Sequence, residues 1–241
     1  MTIQSSGSAR GSSLIELLVA IGLGLVVLLA AATLLMSQLD EHRRLQTEIR
    51  VVQELRAVAD LIARDLRRAG YWGRAVDAVR SPGQPANSTA ALNPYAGLSL
   101  PNASRMGYSY SRDPTENQRA DSNERFGLRL NTGNRTADLR IGGNGLDPLD
   151  TDSWQALTDP GTVRITLVRL TPFVQEISLL SHCPIASCPA GSSASSDCPP
   201  RRVQRSVMIE IEGESALRPG LRRRAIALST LRNDELIGAC P

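Results

Sequence analysis

Residues 14–36 are 23 consecutive positions with a single charge among them, Glu16. No other feature limits the fold as strongly. A helix of that length spans about 35 Å, enough to cross about 30 Å of hydrocarbon. A run that is apolar on all sides has no face to turn toward water, so it asks for lipid or other helices around it. A carboxylate at mid-bilayer costs about 2.5–3.5 kcal/mol or more. The segment holds no cation to offset Glu16, which points to a partner outside the chain. The alternative is a carboxylate near the helix end that reaches up to the interface.

The flanks sharpen this reading. Residues 1–11, MTIQSSGSARG, are small and polar, with Arg10 as the one charged side chain. A secretory signal would place its small-residue cleavage site after the apolar region. Here the apolar run is too long and no such site follows it. The small residue, Gly11, stands before the run instead. A protease cutting there would leave the helix on the mature chain. Arg10 lies on one side of the run and Arg43 and Arg44 on the other, so the positive-inside rule gives no orientation.

Helical periodicity continues past Met36. Leu45, Val52, Ala59 and Leu66 recur every seven residues, with Leu55, Ile62 and Ala69 as a companion row. Charged residues fill the positions between. No proline interrupts residues 14–69, and Gly70 is placed to cap the end. The pattern predicts one helix of over 50 residues, apolar all round at first and amphipathic later. The stripe fits a coiled coil or the chain's own sheet. Few heptads and the small Ala59 and Ala69 favour the sheet.

The remainder reads as a β-rich domain. The stretch 81–123 is dense in Pro, Asn, Ser and Gly and reads as irregular loop, either plain surface or facing a subunit or ligand. Strand signals follow at 125–131, 137–141, 161–170, 174–180, 202–214 and 222–233. In GTVRITLVRL, Val163, Ile165 and Leu167 fall on one face and Arg164 and Thr166 on the other. Strands in succession with short turns predict an antiparallel sheet with one buried face, which the helical stripe covers. Aromatics are only 3% of the chain, so the core is expected to be mainly Leu, Val, Ile and Ala. The predicted fold class is α+β.

The chemistry-bearing residues are sparse. Cys183, Cys188, Cys198 and Cys240 all lie in the last quarter. An even count beyond a membrane segment favours disulfides in an oxidising compartment, with three pairings open. Free thiols and zinc are the rivals, but the Cys-x4-Cys-x9-Cys spacing fits no common zinc pattern, and His182 is the one histidine near. Asp147, Asp150 and Asp152 read as turn chemistry rather than a calcium loop, since Pro148 interrupts them. The run 142–145, GGNG, reads as a turn. His42 and His182 are the only imidazoles. No nucleophile elbow or phosphate loop accompanies them, so no enzyme and no cofactor is expected. All 27 basic residues are arginine, but the net charge is only +3. The runs 201–202 and 222–224 read as solvated strand faces, so nucleic acid is not an expected partner.

The stretch GSSLIELLVA, residues 11–20, resembles the class III signal of type IV prepilins and pseudopilins. That resemblance implies cleavage after Gly11 by prepilin peptidase. Ser12 becomes the new, N-methylated terminus, and Glu16 becomes the fifth mature residue. Ser12 stands where the family usually has Phe. In such assemblies the carboxylate meets the N-terminal amine of a neighbouring subunit. LIARDLRRAGYWG, residues 61–73, and the ending RRRAIALSTLRN, residues 222–233, resemble minor pilins of the PilW/PulJ type. Arg74 follows Gly73 where those relatives often have Cys.

The resemblance implies a pilin-like lollipop. Residues 1–11 would be leader, 12–36 the transmembrane half-helix, 37–70 the amphipathic half, and 71–241 a periplasmic domain. The implied role is a structural and priming subunit of type IV pilus assembly, anchored by a single pass in the bacterial inner membrane and passing into the fibre or its tip. Its implied partners are other minor and major pilins, the prepilin peptidase and the inner-membrane assembly platform. A minor pseudopilin of a type II secretion system is the alternative. A tip adhesin or DNA-binding module is a third, hinted at by Tyr95, Tyr108 and Tyr110.

Overall fold

The computed structural model describes residues 13–78, 93–183 and 198–237. The chain divides into two compact units, with the division between Thr47 and Glu48. Helix α1 (Leu14–Leu66) is continuous over 53 residues.

In the first unit, α1 is exposed on every side, from Leu14 and Ile15 through Leu28 and Leu29 to Leu35 and Met36. By length and composition this helix can cross a membrane. Its hydroxyls are satisfied within the helix. Thr33 Oγ1 donates to the Ala30 carbonyl and Ser37 Oγ to that of Leu34, both at 2.8 Å. Polar atoms with internal partners are the kind that apolar surroundings tolerate.

In the second unit, the amphipathic part of α1 buries Val51, Leu55, Val58, Ala59, Ile62, Ala63 and Leu66. The predicted stripe is therefore right in phase from Leu55 onward. At its head Val51 replaces Val52, and Leu45 is exposed. Each large aliphatic side chain so buried contributes roughly 1.5–3 kcal/mol. After Leu66 the helix tightens: the Arg68 and Ala69 amides donate to Asp65 and Leu66, three residues back. Gly70 ends the turn at φ +75°, a conformation that costs glycine little.

Two antiparallel sheets pack around this part of the helix, where one was expected. The first has the order β1 (Leu98–Asn102), β2 (Arg105–Ser109), β3 (Arg125–Asn131), β4 (Thr136–Gly142), β5 (Ser153–Ala156). The second joins β6 (Val163–Ser178), β7 (Arg201–Ser215) and β8 (Arg222–Thr230), with β9 (Glu235–Ile237) also paired to β7. Backbone hydrogen bonds tie the sheets together: Ile165 N–H donates to Arg135 O at 2.8 Å and Leu170 N–H to Ala103 O at 2.7 Å. Both sheets and the helix share one core, from Val51 and Leu66 to Tyr108, Phe126, Val168 and Ile211. Gly213 on β7 permits the close approach. A Cβ there would lie 2.7 Å from Val163 Cγ1 and 3.1 Å from Leu55 Cδ2.

Several expectations need correction. The stretch 81–123 is not all loop, because β1 and β2 lie within it. The two strands expected at 161–170 and 174–180 are one strand, β6. Pro172 does not break it because β6 is an edge strand, where a missing N–H need not interrupt the ladder. The alternation in β6 also slips. Thr166 is an extra residue between the pairs Ile165–Gly213 and Leu167–Glu212. Past this bulge Val168 and Leu170, rather than Leu167, point to the core.

Candidate assembly surface

The first candidate residues lie at the start of α1. Gly11 and Ser12 are outside the described residues. Glu16 is in the first helical turn and exposed. Ser13 stands just before the helix and Glu16 three positions later, the spacing of a capping box. A carboxylate in a first turn also complements the helix dipole, worth about 0.3–1 kcal/mol. This local stabilisation was readable from the Ser-x-x-Glu spacing.

At its other end α1 is fastened by polar groups that periodicity alone did not single out. Asp65 sits beside the apolar stripe. Its Oδ2 accepts from the Tyr108 hydroxyl at 2.5 Å and its Oδ1 from the Tyr110 hydroxyl at 2.8 Å. Arg68 lies 3.8 Å from the same carboxylate and 4.3 Å from the centre of the Tyr110 ring. The Tyr110 ring stacks on Phe126, with centroids 4.1 Å apart. Burial, then the charge of Asp65, raises both tyrosine pKa values well above the ordinary range. The Tyr-x-Tyr spacing of a strand, facing an aspartate beside a helical stripe, was the available signal.

The last carbonyls of the helical segment are also satisfied from far along the chain. Ser229 Oγ donates to Ala63 O at 2.7 Å, Asn233 Nδ2 to Ala69 O at 3.0 Å, and Asn93 Nδ2 to Gly70 O at 2.8 Å. Leu231 is buried and the Arg232 amide donates to Arg67 O at 3.4 Å. The Leu-Arg-Asn at 231–233 thus works as a clasp on the helix end.

The tyrosines that hinted at a tip-binding surface do not form one. Tyr95, Tyr108 and Tyr110 are all buried. The Tyr95 hydroxyl faces acceptors: Glu116 Oε1 at 3.0 Å, Arg119 O at 3.1 Å and Glu124 Oε2 at 3.2 Å. Asp113, Asp121 and Glu124 bring carboxylate oxygens within 4.8 Å of one another. Glu124 is already engaged, by the Arg112 amide at 2.6 Å and the Asp121 amide at 3.0 Å.

The aspartates of residues 147–152 bind side chains of the first sheet, and Asp152 also accepts from the Leu149 amide within the turn at 2.7 Å. Asp147 accepts from Ser99. Asp150 lies 2.5 Å from Arg105 and 3.1 Å from Arg129, which oppose each other on β2 and β3. Asp152 meets the fully buried Arg140 at 2.8 Å. Arg140 also donates to Gly145 O at 2.8 Å and Leu146 O at 3.2 Å, so it organises the whole turn.

The basic runs are paired. Arg201 meets Glu176 at 3.2 Å and Arg202 meets Asp234 at 3.3 Å. Arg222 meets Glu214 at 3.2 Å, Arg224 meets Glu210 at 2.8 Å, and Arg223 pairs with Glu48 of α1. Cys183 and Cys198 are each disulfide-bonded, while Cys188 and Cys240 lie outside the described residues. His42 is exposed on α1 and His182 ends a short 3-10 turn, Leu180–His182.

A family model described as "PpdB: Prepilin peptidase-dependent protein B" matches residues 44–231. Neither the curated proteins nor the solved structures gave a match.

Proposed function

From the premise that the chain belongs to the prepilin peptidase-dependent protein B family, we propose that it is a type IV minor pilin of the PilW type. It is cut after Gly11 and works as a structural and priming subunit. Two independent features support this reading. The family match begins at residue 44, so it draws nothing from the Gly-Ser-Ser-Leu-Ile-Glu stretch, which carries the prepilin-like signal by itself.

The observation that carries the mechanism is Glu16 at the start of an exposed helix long enough to cross a membrane. Cleavage after Gly11 creates an amine at Ser12. Glu16 of one subunit then pairs with the Ser12 amine of its neighbour. Each charge removes the other's cost in a lipid or helix-bundle interior. Pairing therefore selects docking and register. The chain works by packing and charge pairing, with no turnover of its own. Its globular part lies in the periplasm, where the cysteines oxidise, and its partners are other minor and major pilins and the inner-membrane assembly platform. A minor pseudopilin of a type II secretion system would use the same signal in the same way.

The test is intact mass and N-terminal sequencing of the membrane-extracted protein, with and without Gly11→Val. A mature chain beginning at Ser12, lost in the variant, is expected. A chain still beginning at Met1 in cells with active prepilin peptidase would overturn the proposal.

A further inference from the structure

The two long strands that flank β7 treat their outer edges differently. β6 carries Pro172 and the Thr166 bulge, both devices that discourage a further strand from adding. β8 carries neither. Its nine residues pair with β7 in unbroken register from Arg222–Glu214 to Thr230–Ser206, and among the described residues its other side is unpaired. The arginines at its start are held by Glu214, Glu48 and Glu210. The rest, residues 225–230, has no charge and exposes Ile226 (55%) and Leu228 (61%) on one face. Leu228 opposes Met208, which opposes Thr171, and Phe173 lies in the next row with 48% exposure. The result is a short apolar strip of Ile226, Leu228 and Met208 beside an unprotected edge, bounded on one side by the Glu210 ion pairs and on the other by the Ser206–Thr230 hydrogen bond.

A shallow depression continues this surface where β8 meets the end of α1. Arg67, Gln204, Leu228, Thr230, Arg232 and Asp234 line it. Asp234 is taken by Arg202 at 3.3 Å. Among the described residues Arg67 and Arg232 are exposed and have no ion-pair partner. Among the described residues, and with Asp234 engaged by Arg202, the depression therefore presents two unpaired arginines next to Leu228.

We infer that β8 and this depression form a docking surface for an extended acidic segment of another subunit. The segment adds as a strand to the edge of β8. Its apolar side chains cover Ile226 and Leu228, and a carboxylate enters between Arg67 and Arg232. Strand addition draws affinity from the backbone and specificity from side-chain pockets. A second copy of this chain offering its own β8 does not fit, because RRRAIALST has no carboxylate to enter between Arg67 and Arg232. The inference rests on the reading of the chain as an assembling subunit.

The test uses the full-length protein in detergent and two fluorescent peptides, one alternating Val with Glu and one alternating Val with Lys. The Glu peptide should bind at least about tenfold more tightly. The double variant Arg67→Glu/Arg232→Glu should reverse that preference, and Arg67→Lys/Arg232→Lys should keep it. Ile226→Ser, which removes apolar contact without adding charge, should weaken both peptides. Equal binding of the two peptides, or a preference unmoved by charge reversal, would overturn the inference. In cells, a benzophenone side chain in place of Leu228 should crosslink to an acidic, strand-forming segment of another subunit, mapped by mass spectrometry. Crosslinking to a second copy would overturn it. So would no crosslink in cells where the chain is cut after Gly11. Failure of that cut is a separate result and bears on the proposed function instead.

Discussion

Removing the Tyr108 hydroxyl tests how α1 is held. Tyr108 is fully buried, and its hydroxyl lies 2.5 Å from Asp65 Oδ2. A hydrogen bond to a charged group contributes roughly 1.5–3 kcal/mol net, so Tyr108→Phe should cost about 2 kcal/mol. Asp65→Ala should cost more, about 3–4 kcal/mol, since it strands the Tyr108 hydroxyl and weakens that of Tyr110 as well. The decisive figure is the coupling. Once Asp65 is gone, the Tyr108 hydroxyl is a buried donor without its acceptor. In the Asp65→Ala background Tyr108→Phe should therefore be neutral or stabilising by about 1 kcal/mol. Urea titration of the full-length protein in mild detergent measures all four corners of the cycle. The buried Trp72, just beyond the end of α1, is the fluorescent reporter. If Tyr108→Phe costs about 2 kcal/mol in both backgrounds, the hydroxyl stabilises the fold through something other than Asp65, and the carboxylate is not what fastens the helix to β2.

Three further outcomes are expected. Arg140→Ala leaves Asp152 without its buried partner and should cost about 3–5 kcal/mol; quenching of Trp154, which lies against Arg129, will show the turn loosening before the core. Gly213→Ala forces a methyl against Val163 and Leu55 and should cost about 1–3 kcal/mol, read as a lower urea midpoint. Stability should fall as pH rises above about 10. The folded state keeps the raised Tyr95, Tyr108 and Tyr110 protonated there while the unfolded chain loses those protons. The stabilisation is complete below that pH. Each such tyrosine should contribute up to about 1.4 kcal/mol per pH unit to the decline. The chain has no lysine to mask it, and Tyr108→Phe should flatten the slope.

What the sequence disclosed followed from repetition. The apolar run and the stripe from Leu55 to Leu66 each repeat one physical preference many times, so local exceptions do not disturb them. RFGLRLN was legible as β3 to the residue because its alternation is short and unbroken. The hairpin of β1 and β2 was not. Its residues, LSLPN and RMGYS, carry turn formers and a proline, and only burial of Met106, Tyr108 and Leu100 against the core makes them strand. The continuity of β6 through Pro172 depends on which side of the strand is unpaired, which no local pattern states. The bulge at Thr166 shifts the inward face by one residue without any glycine to announce it. At the candidate site, Glu16 was visible because a charge in an apolar run is conspicuous. Asp65 was not, because one carboxylate among many on a helix gains meaning only from the two hydroxyls that meet it. The edge of β8 was invisible for a related reason: an unpaired edge is a property of the finished sheet.

The clasp at residues 229–233 also sets an order of events. The stripe on α1 is made early in synthesis, yet Ala63 and Ala69 receive their hydrogen bonds from partners 166 and 164 residues later. At roughly 5–20 residues per second, that gap is on the order of 10 s. Until then the greasy face from Val51 to Leu66 lacks its final cover, and the Ala69 carbonyl lacks the Asn233 amide that meets it in the finished fold. A nascent chain of this kind stays vulnerable along the helix until residues 229–233 emerge. Removing residues 229–233 would take away the side chains that meet the Ala63 and Ala69 carbonyls and the amide that meets Arg67.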